Sequence, residues 1–149
     1  MYKHILVPTD GSALSDKAVA AAIKLAQLLG ARITAFHAVE PYPLQGAYAA
    51  EASGVAELQP EIFAERSEEY AKRVLDAVAS AAAAAKVQCA TEYAAGRSAS
   101  QAIVEKARKE GCDLIVMASH GRRGLEGFLL GSETHKVLTH SSIPVLVYR

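Results

Sequence analysis

The sequence predicts an α/β fold: a five-stranded parallel sheet in the order 3-2-1-4-5, with helices on both faces. Three observations predict it. Short apolar runs alternate with helix-period segments along all 149 residues, giving the order βαβαβαβαβ. Ile5-Leu6-Val7 and Leu114-Ile115-Val116-Met117-Ala118 are apolar without interruption, as strands buried on both faces are. In the third strand, Val87, Cys89, Thr91 and Tyr93 alternate with Gln88, Ala90 and Glu92, which suits an edge. With strands 1 and 4 central and strand 3 at an edge, right-handed crossovers favour the order 3-2-1-4-5.

Each element has its own signals. The first strand ends at Pro8, and Asp10-Gly11-Ser12 breaks the chain. Ser12 suits a helix N-cap. Val19, Ala22, Ile23, Ala26 and Leu29 then recur at helical spacing, and Gly30 fits the stop. Ile33 to Val39 reads as the second strand. Residues 40–59, punctuated by Pro41, Pro43, Gly46 and Gly54, form a long connection of the kind that closes over a site or simply moves. From Glu61 the pattern is helical, with Phe63, Tyr70, Val74, Ala77, Val78 and Ala81 near one face. After the third strand, Ser98-Ala99-Ser100-Gln101 has the capping-box pattern and starts a helix carrying Ile103, Val104 and Ala107. Gly111 ends it. The fourth strand is followed by a glycine-bearing loop, a helix from about Ser132 to His140, and a last strand, Pro144 to Tyr148.

Bulk properties limit the function classes. A chain of this length reads as one domain, residues 1–149, and buries roughly 70% of its unfolded surface without needing disulfides or a metal. Sixteen basic and sixteen acidic residues cancel, which argues against a broad nucleic-acid or membrane surface. No stretch approaches the ~20 apolar residues of a membrane span, and the N-terminus lacks a signal-type apolar segment. A cytoplasmic setting is expected. Cys89 and Cys112 match no metal or redox spacing and read as small hydrophobes.

Chemistry concentrates at Ser119-His120-Gly121-Arg122-Arg123-Gly124, followed by Gly131-Ser132. In the proposed order the switch point lies between strands 1 and 4, where ligands of such sheets bind. The strand ends there are Pro8-Thr9-Asp10 and Ala118-Ser119-His120-Gly121. Glycines let backbone N–H groups approach a phosphate, and a helix N-terminus adds unpaired donors. Ser132 and Thr134 offer hydroxyls and Arg122 or Arg123 a charge. An ordinary turn with Ser132 as helix cap explains the same spacing. Neither G-x-G-x-x-G after strand 1 nor G-x-x-x-x-G-K-[ST] occurs.

Three separated stretches together resemble the universal stress protein family over nearly the whole chain. They are Ile5-Leu6-Val7-Pro8-Thr9-Asp10-Gly11-Ser12, the loop pattern, and Ile143-Pro144-Val145-Leu146-Val147. The ATP-binding members carry Gly-x-x-Gly, nine residues, then Gly-Ser or Gly-Thr. Here Ala118 to Gly121, the nine residues 122–130, and Gly131-Ser132 correspond. The resemblance implies a Rossmann-like, adenine nucleotide alpha hydrolase-like fold and an ATP, ADP or AMP ligand, with or without Mg. It implies that Pro8 and Thr9 floor the pocket, that Asp10 meets the adenine or its surroundings, and that Val39 presents backbone to the base. Met117 would lie near ribose and base, while His120, Gly121 and Arg122 wrap the phosphates. Gly131, Ser132, Glu133 and Thr134 would hold them from the helix side. The first glycine of the pattern is Ala118 here, which matters if that position needs a positive φ and costs little if it is still strand.

Other residues add less. His4, His37, His135 and His140 show no ligand spacing, and Glu65, Glu68 and Glu69 with Arg66, Lys72 and Arg73 read as a solvated helix face. No catalytic residue and no metal site are expected. Pro144 to Tyr148 at a sheet edge invites pairing with a second copy, and the resemblance implies the same homodimer. The expected function is an adenine-nucleotide-binding stress-response sensor or regulator with slow or no ATP hydrolysis. Two alternatives stand beside it: an interaction module of the same fold that binds no nucleotide, and a genuine ATPase or phosphotransferase.

Overall fold

The computed structural model describes residues 1–43, 59–122 and 130–149. Most of the connection 40–59 and the loop residues 123–129, Arg123 and Gly124 included, lie outside the described residues. Among those described, strands β1 (His4–Pro8), β2 (Arg32–Val39), β3 (Cys89–Ala95), β4 (Leu114–Ala118) and β5 (Val145–Tyr148) form one sheet. All its pairings are parallel and the order is β3-β2-β1-β4-β5. The connecting helices are α1 (Ala13–Leu29), α2 (Pro60–Ala84), α3 (Ala99–Lys109) and α4 (Ser132–His140).

Successive strand residues point to opposite faces, and both faces are covered. Ile5 and Val7 of β1 and Leu114 and Val116 of β4 pack with Val19, Ile23 and Ala26 of α1 and Leu75 and Val78 of α2. Leu6 and Phe36 pack on the other side with Ile115, Met117, Ile103 of α3 and Val137 of α4. Every residue of β1 and β4 is buried, which is why these strands are apolar without alternation. Each fully buried valine or leucine side chain here stabilises the fold by ~1.5–3 kcal/mol.

The caps follow the sequence closely. Ser12 is the N-cap of α1 and its Oγ accepts from Ser15 N. Gly30 closes α1 in the left-handed conformation at φ 62°. Ser98 Oγ accepts from Gln101 N at 3.2 Å, but Gln101 Nε2 donates to Glu105 Oε1 at 2.8 Å instead of returning to Ser98. Only half of the expected capping box forms.

Three expectations are corrected. Alternation in strand 3 does not make one buried and one exposed face. β3 begins at Cys89, and Ala90, Thr91, Glu92 and Tyr93 are all exposed, because no helix covers this edge fully. On α2 the buried stripe is Ala71, Leu75, Val78 and Ala82, one residue on from most of the expected set. Small Ala71 is fully buried, while its neighbour Tyr70 is half-buried and serves the site described next. Cys112 is buried, and burial pushes its thiol up to about 11, whereas Cys89 is half-buried.

Candidate functional site

β1 and β4 are neighbours, yet their crossover helices leave in opposite directions, so their carboxyl ends open a crevice. The turn after β1 is tied internally. Thr9 Oγ1 and Ser15 Oγ share a hydrogen bond of 2.6 Å, and Asp10 Oδ1 accepts from Ser12 N at 3.0 Å. His37 Nδ1–H donates to Thr9 O at 2.8 Å, which fixes the tautomer of this buried ring. Gly11 has φ +75°, and a Cβ there would stand 2.6 Å from Tyr70 Oη. A side chain would block Tyr70, whose hydroxyl donates to Asp10 O at 2.6 Å.

The loop after β4 folds back onto this turn. Asp10 Oδ2 accepts from Arg122 N at 2.6 Å. Gly121 lies so close to Asp10 that an added Cβ would collide with the carboxylate. Gly131 N donates to Ser119 O at 2.7 Å, and a Cβ on Gly131 would press on the His120 backbone at 3.2 Å. Close approach thus favours glycine at 121, where Asp10 would have to move, and at 131, where the His120 backbone would have to give. Neither has a positive φ.

α4 starts at this loop. Its N-cap is Gly131, not Ser132, and no side chain caps it. Among the described residues the first-turn N–H groups therefore have no capping side chain, and the helix dipole favours negative charge beside them. Ser132 is exposed, whereas Thr134 is buried and its Oγ1 donates to Ala118 O at 3.0 Å. Thr134 fastens α4 to the end of β4. Glu133 ties α4 to α3: its Oε2 accepts from Ser100 N and its Oε1 from Lys136 Nζ, both at 2.7 Å. Burial opposes ionisation of Glu133, but these two donors outweigh it and hold its carboxyl below the usual range.

These pieces enclose a cavity of about 260 Å³. Pro8, Thr9, Asp10, Met117, Ala118, His120, Gly121, Arg122, Gly131, Ser132, Glu133 and Thr134 line it, as the sequence places them. Val39 does not line it; its neighbours Ala38 and Glu40 do. Phe36 and Ala38 share the face toward α3, so Val39, one residue on, lies on the other face of β2. Ala118 ends β4, and Lys86 is the one non-glycine with positive φ among the described residues. Alanine therefore carries no backbone strain at position 118.

Sequence reasoning missed Ser15, His37, Ala99 and Ile103 in the lining, and Tyr70 beside it. Ala99 and Ile103 follow the Ser98 cap, so the start of α3 was a usable signal. Tyr70 carried none, since only packing brings α2 to the end of β1; His37 lies on β2, which the sheet order already sets beside β1, but its spacing marked no site. Their rings meet at 5.5 Å. The Arg122 guanidinium lies 4.6 Å from the Tyr70 ring centre.

One end of the cavity, at Ala38, Ile103 and Met117, is apolar, and the other offers loop and helix amides. That combination suits a flat apolar group joined to an anion. The model of the universal stress protein family matches residues 1–149. The chain belongs to this family. A universal stress protein of Methanocaldococcus jannaschii is 38% identical over 149 residues, covering 100% of this chain and 83% of the relative. Universal stress protein YxiE of Bacillus subtilis is 34% identical, with 100% of each chain covered. The solved structure of the hypothetical protein MJ0577 superposes with a TM-score of 0.80 at 27% identity, covering 99% of this chain and 96% of that one. A universal stress protein in complex with cAMP superposes at 0.71 and 26% identity, over 99% and 97%. The universal stress protein fold accounts for the sheet order and for the position of the crevice.

Proposed function

We propose that this universal stress protein binds an adenine nucleotide, ATP in the first place, in the crevice between β1 and β4, and acts as a regulator in stress response. The observation that carries the reading is the cradle itself. Gly121 and Gly131 are close-packed against Asp10 and His120, and the first turn of α4 has no side-chain cap. The cAMP complex of a relative at 26% identity supports an adenine ligand. Pro8, Ala38, Ile103 and Met117 would meet the base and ribose, and the amides of residues 121, 132 and 133 the phosphates, since the Arg122 amide is already taken by Asp10. Val39 is retained only as backbone next to Ala38 and Glu40.

Among the described residues no three His, Cys, Asp or Glu side chains gather into a metal cage. Magnesium commonly enters with its nucleotide, held by phosphates and one or two carboxylates. Asp10 is the carboxylate positioned for that role, and it would help to offset phosphate charge through the ion. The assigned residues bind and orient; hydrolysis, if it occurs, would be slow. We further propose a cytoplasmic, single-domain chain that pairs through β5 with a second copy, and neither nucleic acid nor membrane as partner.

Equilibrium dialysis of the purified protein against ATP and AMP tests the binding. Saturable binding below millimolar nucleotide is expected, and Gly131→Val should weaken it at least tenfold by pushing on His120. Absence of binding at millimolar nucleotide would sink the reading in favour of an interaction module.

A further inference from the structure

We propose that Tyr70 and Arg73 of α2, together with Arg122, form a cluster that reads phosphate number, so that the site binds a nucleoside triphosphate more tightly than the monophosphate. This rests on the adenine-nucleotide reading above. It adds α2 to a site otherwise built from the β1 turn, the β4 loop and α4.

The geometry has three parts. First, Tyr70 is held at the anion end of the crevice. Its hydroxyl donates to Asp10 O at 2.6 Å, and the seat exists only because Gly11 has no Cβ. Second, two guanidinium groups stack on that one ring. Arg122 Cζ is 4.6 Å and Arg73 Cζ 5.1 Å from its centre. A tyrosine ring attracts both cations and holds these two long side chains beside it. Third, no carboxylate ion-pairs with either guanidinium among the described residues. As far as the described residues go, their donors are available to a ligand.

Charge gives the cluster a purpose. Among the described residues the cavity is lined by the acids Asp10, Glu40 and Glu133 and by one guanidinium, that of Arg122. Glu133 is offset by Lys136, but among the described residues Asp10 has only neutral hydrogen-bond donors, from Ser12 N and Arg122 N. A monophosphate can be met by loop and helix amides alone. Each further phosphate adds negative charge near Asp10 and needs a cation. Arg73 lies against the Tyr70 ring, outside the cavity lining, and would serve a phosphate chain long enough to pass Arg122. Guanidinium forks match phosphate oxygens and are the strong partners for them. Arg122 and Arg73 are then phosphate ligands, and Tyr70 is a positioning residue that acts through them.

Calorimetric titration of the full chain with ATP, AMP and adenosine, in magnesium buffer, tests this. The wild type should bind ATP more tightly than AMP. Arg73→Gln, an exposed change on α2, should weaken ATP roughly fivefold and leave AMP and adenosine within about twofold. Tyr70→Leu should reduce the ATP preference in the same way, whereas Tyr70→Phe keeps the ring and should keep the ATP-to-AMP ratio. Equal wild-type affinities for ATP and AMP would overturn the proposal while leaving the nucleotide site standing. So would an Arg73→Gln variant that loses both nucleotides equally, or neither. A wild type that binds no nucleotide overturns the site itself.

Discussion

Gly11 and Gly30 are both left-handed, at φ +75° and +62°, yet they do different things. Nothing lies within 4 Å of where a Cβ on Gly30 would stand, while one on Gly11 would meet Tyr70 Oη at 2.6 Å and Val74 Cγ2 at 2.9 Å. Gly30→Ala therefore carries only backbone strain, ~1–2 kcal/mol. Gly11→Ala adds a clash with α2, and should cost ~1–3 kcal/mol more. Urea denaturation of the two variants separates strain from packing; equal losses would deny that Tyr70 seats on Gly11. His4 is the residue through which pH acts. Its Nδ1 accepts from Arg32 Nη2 at 3.0 Å, so Nε2–H donates to Thr34 Oγ1 at 2.8 Å. Burial, and then the Arg32 charge, hold the imidazole below its ordinary 6.5. Above that value both folded and unfolded chains carry a neutral ring. Below it the unfolded chain takes the proton first, so stability falls as pH drops. As pH falls from about 7.5 to about 5.5 the His4 contribution should decline, and the pH slope of His4→Gln should be shallower than that of the wild type. Asp113 and Glu133, both held low, add their own loss only at more acid pH.

At the scale of elements, caps and turns were legible because they are local. Ser12, Gly30 and Ser98 do what their types predict, since each bond spans only a few residues. The capping box at Ser98 was overread for a related reason. Gln101 has two partners within reach on its own helix, and the exposed Glu105 wins. Ser98→Ala should therefore cost ~1 kcal/mol in chemical denaturation, and Gln101→Ala less than ~0.5 kcal/mol. A Gln101→Ala loss as large as that of Ser98→Ala would restore the full box. The stripe of α2 was misassigned by one residue because Tyr70, Val74 and Ala81 and the set Ala71, Leu75 and Ala82 both recur at helical spacing. Periodicity alone does not say which of two adjacent stripes meets the sheet. Packing chose the one with the small Ala71, and that choice turned Tyr70 toward Asp10.

For the molecule as a whole, the two sheet edges differ in chemistry. Along β3 the exposed Glu92 is paired with Lys106, and a charged edge discourages pairing with another strand. Along β5, Leu146 is 42% exposed, and Leu138 of the adjoining α4 is 40% exposed. If β5 pairs two copies, the wild type should sediment as a dimer and Leu146→Lys as a monomer with its far-UV spectrum intact. A monomeric wild type would refute the pairing. No described helix is long and apolar enough to cross a membrane.

By itself the sequence determined the element order, the central place of β1 and β4, and through them the crevice. Hydrophobic period and caps are properties of neighbouring residues, and a right-handed crossover rule turns them into a sheet order. The lining residues at 8–10, 118, 120–122, 131, 132 and 134 were accessible for that reason, whereas Met117 and Glu133 were indicated only by the family resemblance. Only the tertiary structure decided which face of β2 meets the cavity, that Thr134 holds β4 and that Gly131, not Ser132, opens α4. It alone joined Tyr70 and Arg73 to Arg122 across some fifty residues of sequence. Such contacts depend on how whole elements pack, and no local pattern encodes the partner a side chain meets from a distant helix.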